Sequence, residues 1–387
     1  MIETNFKHTD IGLIPHDWVV KRIGDSAPLQ RGFDLPHKNL ILGDYPVVYS
    51  NGVGNYHCKY LIKGPGVITG RSGTIGKIHY VNENYWPHNT TLWVTNFYNN
   101  YPLFIYYLFN TFNWLRFSTG TGVPTLNRNF VHDEIIALPP TLAEQEKIAN
   151  ALSKIDQLIN DLGALIEKKK AIKQGTMQDL LTAKRRLKGF TGEWRDKKLD
   201  EMGFLTAGGT PSTIEPSYWG GDINWLQSGA VQNCIITPDA VVKTISKEGL
   251  QNSATYLIKP DSVLIAITGA TCANVGYLTF ESAANQSVVS IEPNKENCAM
   301  FLFQKLLTER TNILSNKGGS AQSGVTLKAL KQLTITIPPT IAEQRAIAAV
   351  LSGMDTEIAA LEQKRNKYIA IKQGMMQNLL TGKIRLI

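Results

Sequence analysis

Apolar side chains recur at alternating spacings of four and three through Ile148, Leu152, Ile155, Ile159, Leu162 and Ile166. That stripe predicts a long helix whose a/d seam needs a partner. A second stripe, Ile347, Leu351, Met354, Ile358 and Leu361, predicts another such helix and loosens at Arg365 and Tyr368. The pairs Pro139-Pro140 and Pro338-Pro339 stop any helix arriving from upstream. Thr141 then stands as an N-cap, with Glu144 at the capping-box position. About 40 helical residues would span about 60 Å. Outside the stripes the pattern changes to short β-branched runs broken by Gly, Pro and Asn, which predicts twisted sheet with a few helices, among them residues 101–117 and 298–312.

The two helices are copies. Pro139-Pro140-Thr141-Leu142-Ala143-Glu144-Gln145 returns as Pro338-Pro339-Thr340-Ile341-Ala342-Glu343-Gln344, and the match runs without a gap to Leu187 and Leu386, with more than half of the positions identical. The segments ahead of each helix match more faintly: Asp17-Trp18 with Glu193-Trp194, Gly70–Gly76 with Gly269–Gly276, His88-Asn89-Thr90 with Asn285-Gln286-Ser287, and Gly122-Val123 with Gly324-Val325. Trp18 and Trp194 lie beside apolar residues and read as core. The order is therefore globular domain, helix, globular domain, helix, one unit duplicated and diverged.

Composition adds limits. At 387 residues the chain suits two domains, and it has no run long and apolar enough for a membrane span and no signal-peptide pattern, so a cytoplasmic location is expected. Cys58, Cys234, Cys272 and Cys298 are far apart and are expected as reduced, mostly buried thiols. The net charge of +8 is concentrated in segments 141–187 and 340–387, so it permits nucleic-acid binding without establishing it.

With Pro-Pro-x-x-Ala-Glu-Gln opening each copy of the helix, the chain resembles the specificity subunits of type I restriction-modification enzymes over nearly its whole length. The resemblance implies an α+β protein with two α/β target-recognition domains, 1–140 and 188–339. Two spacer helices, 141–187 and 340–387, would form an antiparallel coiled coil in a pseudo-twofold internal repeat. It further implies a non-catalytic reader of a bipartite, asymmetric double-stranded DNA target that docks two methyltransferase subunits and, in the full complex, restriction/motor subunits. S-adenosylmethionine, ATP and magnesium would belong to those partners. The helix pair alone would equally suit a non-catalytic protein-protein scaffold with two heads on a coiled coil; the polar, Gly-rich loops and the basic excess favour DNA.

Catalytic motifs are missing. Neither Pro-Pro pair has the flanking Asn/Asp and Tyr/Phe of an adenine methyltransferase, and Pro238-Asp239 has no nuclease-like downstream partner. Gly70-Arg71-Ser72-Gly73-Thr74-Ile75-Gly76-Lys77-Ile78 resembles a phosphate loop, but its outer glycines are one residue too far apart and Ile78 replaces the metal-binding hydroxyl. No metal site is expected from the scattered histidines. For DNA contact, donors on Gly-rich or polar loops are the candidates. In the first domain these are Arg71, Ser72, Thr74, Lys77, Thr119, Thr121, Asn127 and Arg128; in the second, Gln227, Ser228, Thr271, Asn274, Lys317, Ser320, Gln322, Ser323 and Lys328. Arg31, His57, Lys59 and Arg116 have no place in this reading.

Overall fold

The computed structural model describes residues 5–119, 124–315 and 324–387. The long helices are Leu142–Leu181 and Ile341–Leu379. Packing divides the chain inside both of them: residues up to Ala164 pack with Leu361–Ile387, and Leu165–Ala360 form a second compact unit. Each unit therefore holds one globular head, the first half of the helix that follows it, and the second half of the other helix. The linear order of heads and spacers is not the order of packing.

Within each unit the two helix segments run antiparallel, and the same contacts occur in both. In the first unit Asp156 pairs with Lys372 at 2.6 Å. In the second, the repeat-equivalent Asp355 pairs with Lys173, and Glu357 with Lys169 at 2.6 Å. Ile148 and Leu152 are fully buried and join Leu379, Leu380, Met375 and Met376 in a cluster that includes Trp18, Phe104 and Leu138 of the head. Ile347 and Leu351 do likewise with Leu180, Leu181 and Met177 beneath the second head. The first turns of each stripe thus fasten the helix to its own head as well as to the other helix. Leu162 and Ile358 are buried, whereas Ile155, Ile159, Met354 and Leu361 are half-buried.

The repeated Ala-Glu-Gln has a structural cause. Thr141 and Thr340 cap their helices, each Oγ1 accepting from the N–H of Glu144 or Glu343 at 3.3 Å. The glutamates do not close the capping boxes expected of them; their carboxylates take arginines from beyond the end of the other helix. Arg385 donates to both oxygens of Glu144 and to Asp17, and Arg186 donates to both oxygens of Glu343 at 2.9 and 2.6 Å. The glutamines turn to their own heads. Gln145 Oε1 accepts from the Tyr101 N–H at 2.8 Å while its amide donates to Asn100, and Gln344 repeats this with the Cys298 N–H and Asn297. One Glu-Gln pair thereby joins a head, its own helix and the tail of the other.

The heads share a topology. A strand just before each long helix pairs with an early strand of its head: Ile135–Leu138 with Val19–Arg22, and Thr334–Ile337 with Arg195–Lys198. The first head has a four-stranded sheet ordered Leu29–Arg31, Thr91–Val94, Gly66–Gly70, Ile78–Val81. The second has Gly203–Ala207, Val288–Pro293, Ser262–Ala266, Val275–Leu278, extended by Cys234–Ile236. A three-stranded sheet with one parallel pair completes each. Trp18 is fully buried and Trp194 packs on the second core, as expected.

Two expectations are corrected. The helix over 101–117 is only Pro102–Phe109, followed by a 3-10 turn at Trp114–Phe117; Asn110 and Thr111 side chains donate back to the carbonyls of Tyr106 and Leu108 and end it. The helix over 298–312 breaks likewise at Glu309 into Ala299–Thr308 and Arg310–Ser315. The four cysteines are free, but only Cys272 is buried; Cys58 and Cys234 are exposed because they lie on outer loop and edge-strand positions.

Candidate nucleic-acid interface

Strand pairing in the first head brings three distant arginines to one cleft. Arg31 ends the outer strand of the four-stranded sheet, opposite Leu92. Arg71 follows directly on the strand Gly66–Gly70, its N–H donating to Thr90 and its carbonyl accepting from Leu126 at 2.7 Å. Arg128 opens the short helix Arg128–His132, which is capped by Asn127 accepting from the Asn129 N–H at 3.0 Å. These residues, with Thr119, Thr125, Asn127 and Asn129, line a cleft of about 520 Å³ floored by Leu92 and Leu126, and among the described residues no carboxylate lines it. Of the three, only Arg31 has an ion pair among the described residues, an exposed 3.5 Å contact with Asp34.

Two histidines flank this charge. Burial depresses the pKa values of His88 and His132, and Arg31 beside His88 and Arg128 beside His132 push the same way. His132 is neutral in its structural role, since its Nε2 accepts from the Leu29 N–H at 2.8 Å.

Of the candidates in the first head, Arg71, Thr119, Asn127 and Arg128 come together here, and Arg31 and Asn129 join them unforeseen. Ser72 lies half-buried at the cleft's edge, bridged by backbone to Thr125. Thr74 and Lys77 do not line the cleft. The loop folds on itself: a Cβ on Gly70 would lie 1.7 Å from the Thr74 carbonyl oxygen, and Gly73 and Gly76 have φ of +84° and +87°. Its glycines serve that closure, and the Lys77 ammonium donates to the Asn51 carbonyl at 3.0 Å. His57 and Arg116 are structural, the first bonded to the backbone of Ile41 and the second paired with Glu134. Thr121 lies outside the described residues.

In the second head, Gln227 and Lys328 are exposed and Ser228 and Thr271 half-buried, spread over separate loops and a short helix. Asn274 is committed internally: its amide donates to the Val231 carbonyl at 3.2 Å and its oxygen accepts from Arg310. Lys317, Ser320, Gln322 and Ser323 lie outside the described residues.

The matching positions of the two heads can be read from their backbones. Gly32 N–H donates to Thr91 and Gly208 N–H to Val288, so Arg31 answers to Ala207. Arg71 donates to Thr90 and accepts from Leu126, as Ile267 donates to Ser287 and accepts from Val325, which corrects the sequence pairings of Gly70 with Gly269 and of Val123 with Val325. Arg128 follows the N-cap Asn127, as Leu327 follows the N-cap Thr326. The second head therefore carries Ala207, Ile267 and Leu327 where the first carries three arginines. One backbone frame presents two different faces.

The sequence profile of the type I restriction modification DNA specificity domain matches this chain twice, over residues 15–174 and 191–370. The chain belongs to the type I restriction-modification specificity family. A putative type I restriction enzyme MjaX specificity subunit from Methanocaldococcus jannaschii is 25% identical over 425 residues, covering 99% of this chain and 97% of that protein. The crystal structure of the S subunit of a type I restriction-modification system from M. genitalium matches with a TM-score of 0.67 at 14% identity, covering 98% of this chain and 97% of that one. A chain from a structural study of complex assembly and conformational transition in a type I system matches with a TM-score of 0.55 at 17% identity, over 96% and 99% of the two chains. The solved structures speak to the fold alone. As a specificity subunit the chain supplies DNA sequence preference, is not itself the catalyst, and works in a complex with other subunits. No helix among the described residues is long and apolar enough to cross a membrane.

Proposed function

We propose that each head reads one half of a split, asymmetric double-stranded DNA target, and that the paired helices space the heads and dock two methyltransferase subunits. Restriction/motor subunits join in the full complex, which acts in the cytoplasm. S-adenosylmethionine, ATP and magnesium are then held by the partners. The observation that carries this reading is the duplicated frame with diverged faces. The Glu-Gln fastening is the same in both units, as a symmetric pair of partners requires, while the faces of the heads differ, so that each engages its half-site in its own way. Arg71, Thr119, Asn127 and Arg128, with Arg31 and Asn129, are the contact residues of the first head. Gln227, Ser228, Thr271 and Lys328 are those of the second, and the committed Asn274 is not among them.

Methyl transfer from labelled S-adenosylmethionine to duplex DNA tests this reading. Incorporation should require both the cognate methyltransferase and this chain, and neither alone should suffice. Incorporation by the purified chain alone, or by the methyltransferase at the same sites without it, would contradict the reading.

A further inference from the structure

We propose that the cleft of Arg31, Arg71 and Arg128 is a phosphate clamp on the DNA backbone, built into the first head at positions where the second carries Ala207, Ile267 and Leu327. The inference rests on the DNA-reading function proposed above and assigns one of its components to one place. Three arginines line an open cleft with no lining carboxylate among the described residues, an arrangement that favours a bound anion over an empty site. The cleft is floored by Leu92 and Leu126 and lined as well by the polar residues Thr119 and Asn129. That combination fits a sugar-phosphate segment: phosphate oxygens to the guanidinium and polar groups, deoxyribose over the apolar floor. Phosphate contacts position a protein on the duplex without reading sequence. Arg71 and Arg128 are also carried by elements whose backbone is fixed, Arg71 between two ladder-like hydrogen bonds and Arg128 behind a capped turn, so the points from which these side chains extend are set before DNA arrives. In the second head Ala207, Ile267 and Leu327 offer no charge at these three positions. The salt dependence that these three arginines carry therefore belongs to the first half-site.

The test uses the chain assembled with its methyltransferase subunits and a duplex carrying the sequence that the parent complex methylates in vivo. Affinity is measured across a salt series for the parent, for R31Q/R71Q/R128Q and for R31K/R71K/R128K. Each neutralised phosphate contributes about 0.9 to the slope of log affinity against log salt. The Gln variant should lose up to about 2.7 units of slope while methylating the same sequence, and the Lys variant should keep most of the slope. An unchanged slope in the Gln variant would overturn the clamp. So would a Lys variant as impaired as the Gln variant together with altered bases in one half-site, because that is the behaviour of arginines reading base edges. Failure of the parent complex to bind the duplex at all would remove the underlying reading, and that result is distinct from binding with an unaltered slope. Circular dichroism of both variants separates loss of charge from loss of fold.

Discussion

Arg385 closes a bidentate pair on Glu144, with Nη2 at 2.8 Å from Oε2, although 241 positions separate the two residues in the chain. Both side chains are more than nine-tenths buried, and the repeat places Arg186 on Glu343 in the same way. Removing one partner of a buried pair leaves an uncompensated charge and costs about 3–5 kcal/mol. R385M should therefore destabilise the first unit by that order in denaturant unfolding. E144Q/R385M should cost less than the sum of the two single variants. An R385M effect within about 0.5 kcal/mol, the scale of ordinary surface changes, would mean the tail does not hold the unit together.

The ends of the two long helices differ by one informative residue. Both finish with an N–H reaching back six positions, Arg185 to Asp179 at 3.0 Å and Ile384 to Asn378 at 3.1 Å. The turn requires a left-handed residue, which is Gly382 in one copy and Ala183, at φ +59°, in the other. A Cβ in that region costs about 1–2 kcal/mol, so A183G should stabilise the second unit by about 1 kcal/mol. G382A should do the reverse and more, because its Cβ would lie 2.4 Å from Pro15 Cγ. Thermal unfolding of the two variants checks both signs; an A183G variant less stable than the parent would contradict the account.

The contrast between these helix ends and the cleft shows what was legible in the sequence. The long helices were, because a heptad stripe and a proline-threonine start are local signals. So were the tryptophans as core. The reason for Ala-Glu-Gln was not, since the Arg385 partner of Glu144 is distant in the chain and only antiparallel packing brings it close. That Arg71, Thr119, Asn127 and Arg128 share one cleft follows from polar loops brought together by strand pairing. Arg31 was missed because it ends a strand, where its pairing with Leu92 decides which way it faces; the pattern of strand neighbours was the one signal that could have found it. Thr74 and Lys77 stand apart from the cleft and Asn274 bonds internally, because a donor on a loop can equally serve the loop itself.

Acid should loosen the first unit selectively. All seven histidines precede Asp133, and burial lowers the pKa values of His79, His88 and His132 below 6.5. The unfolded chain therefore takes up these protons first. The stability that the neutral rings contribute is complete above pH 6.5 and is lost as pH falls from there toward the folded-state values. Between about pH 7.5 and 5.5, amide exchange corrected for intrinsic rates should rise in the first unit more than in the second. H132Q, which keeps an acceptor for the Leu29 N–H, should reduce that pH sensitivity. An equal rise in both units would show that the histidines do not carry it.

The central claim is that two heads, held on paired helices, read two spaced half-sites. Lengthening the helices tests it, provided the insertion avoids their ends: Leu180 and Leu181 are buried in the second core, and the Lys305 ammonium donates to the Leu181 carbonyl at 3.1 Å. The places to lengthen are after Ala164 and after Ala360, where the compact units divide. One heptad in each helix keeps both stripes in register and adds about 10 Å, which corresponds to about three base-pair steps of 3.4 Å. The measurement is the methylome of a host expressing the parent or the lengthened chain with the same methyltransferase. The account predicts one interrupted, non-palindromic methylated sequence for the parent, and the same two half-sites with a gap about three base pairs longer for the variant. Half-sites that change while the gap stays fixed would contradict it.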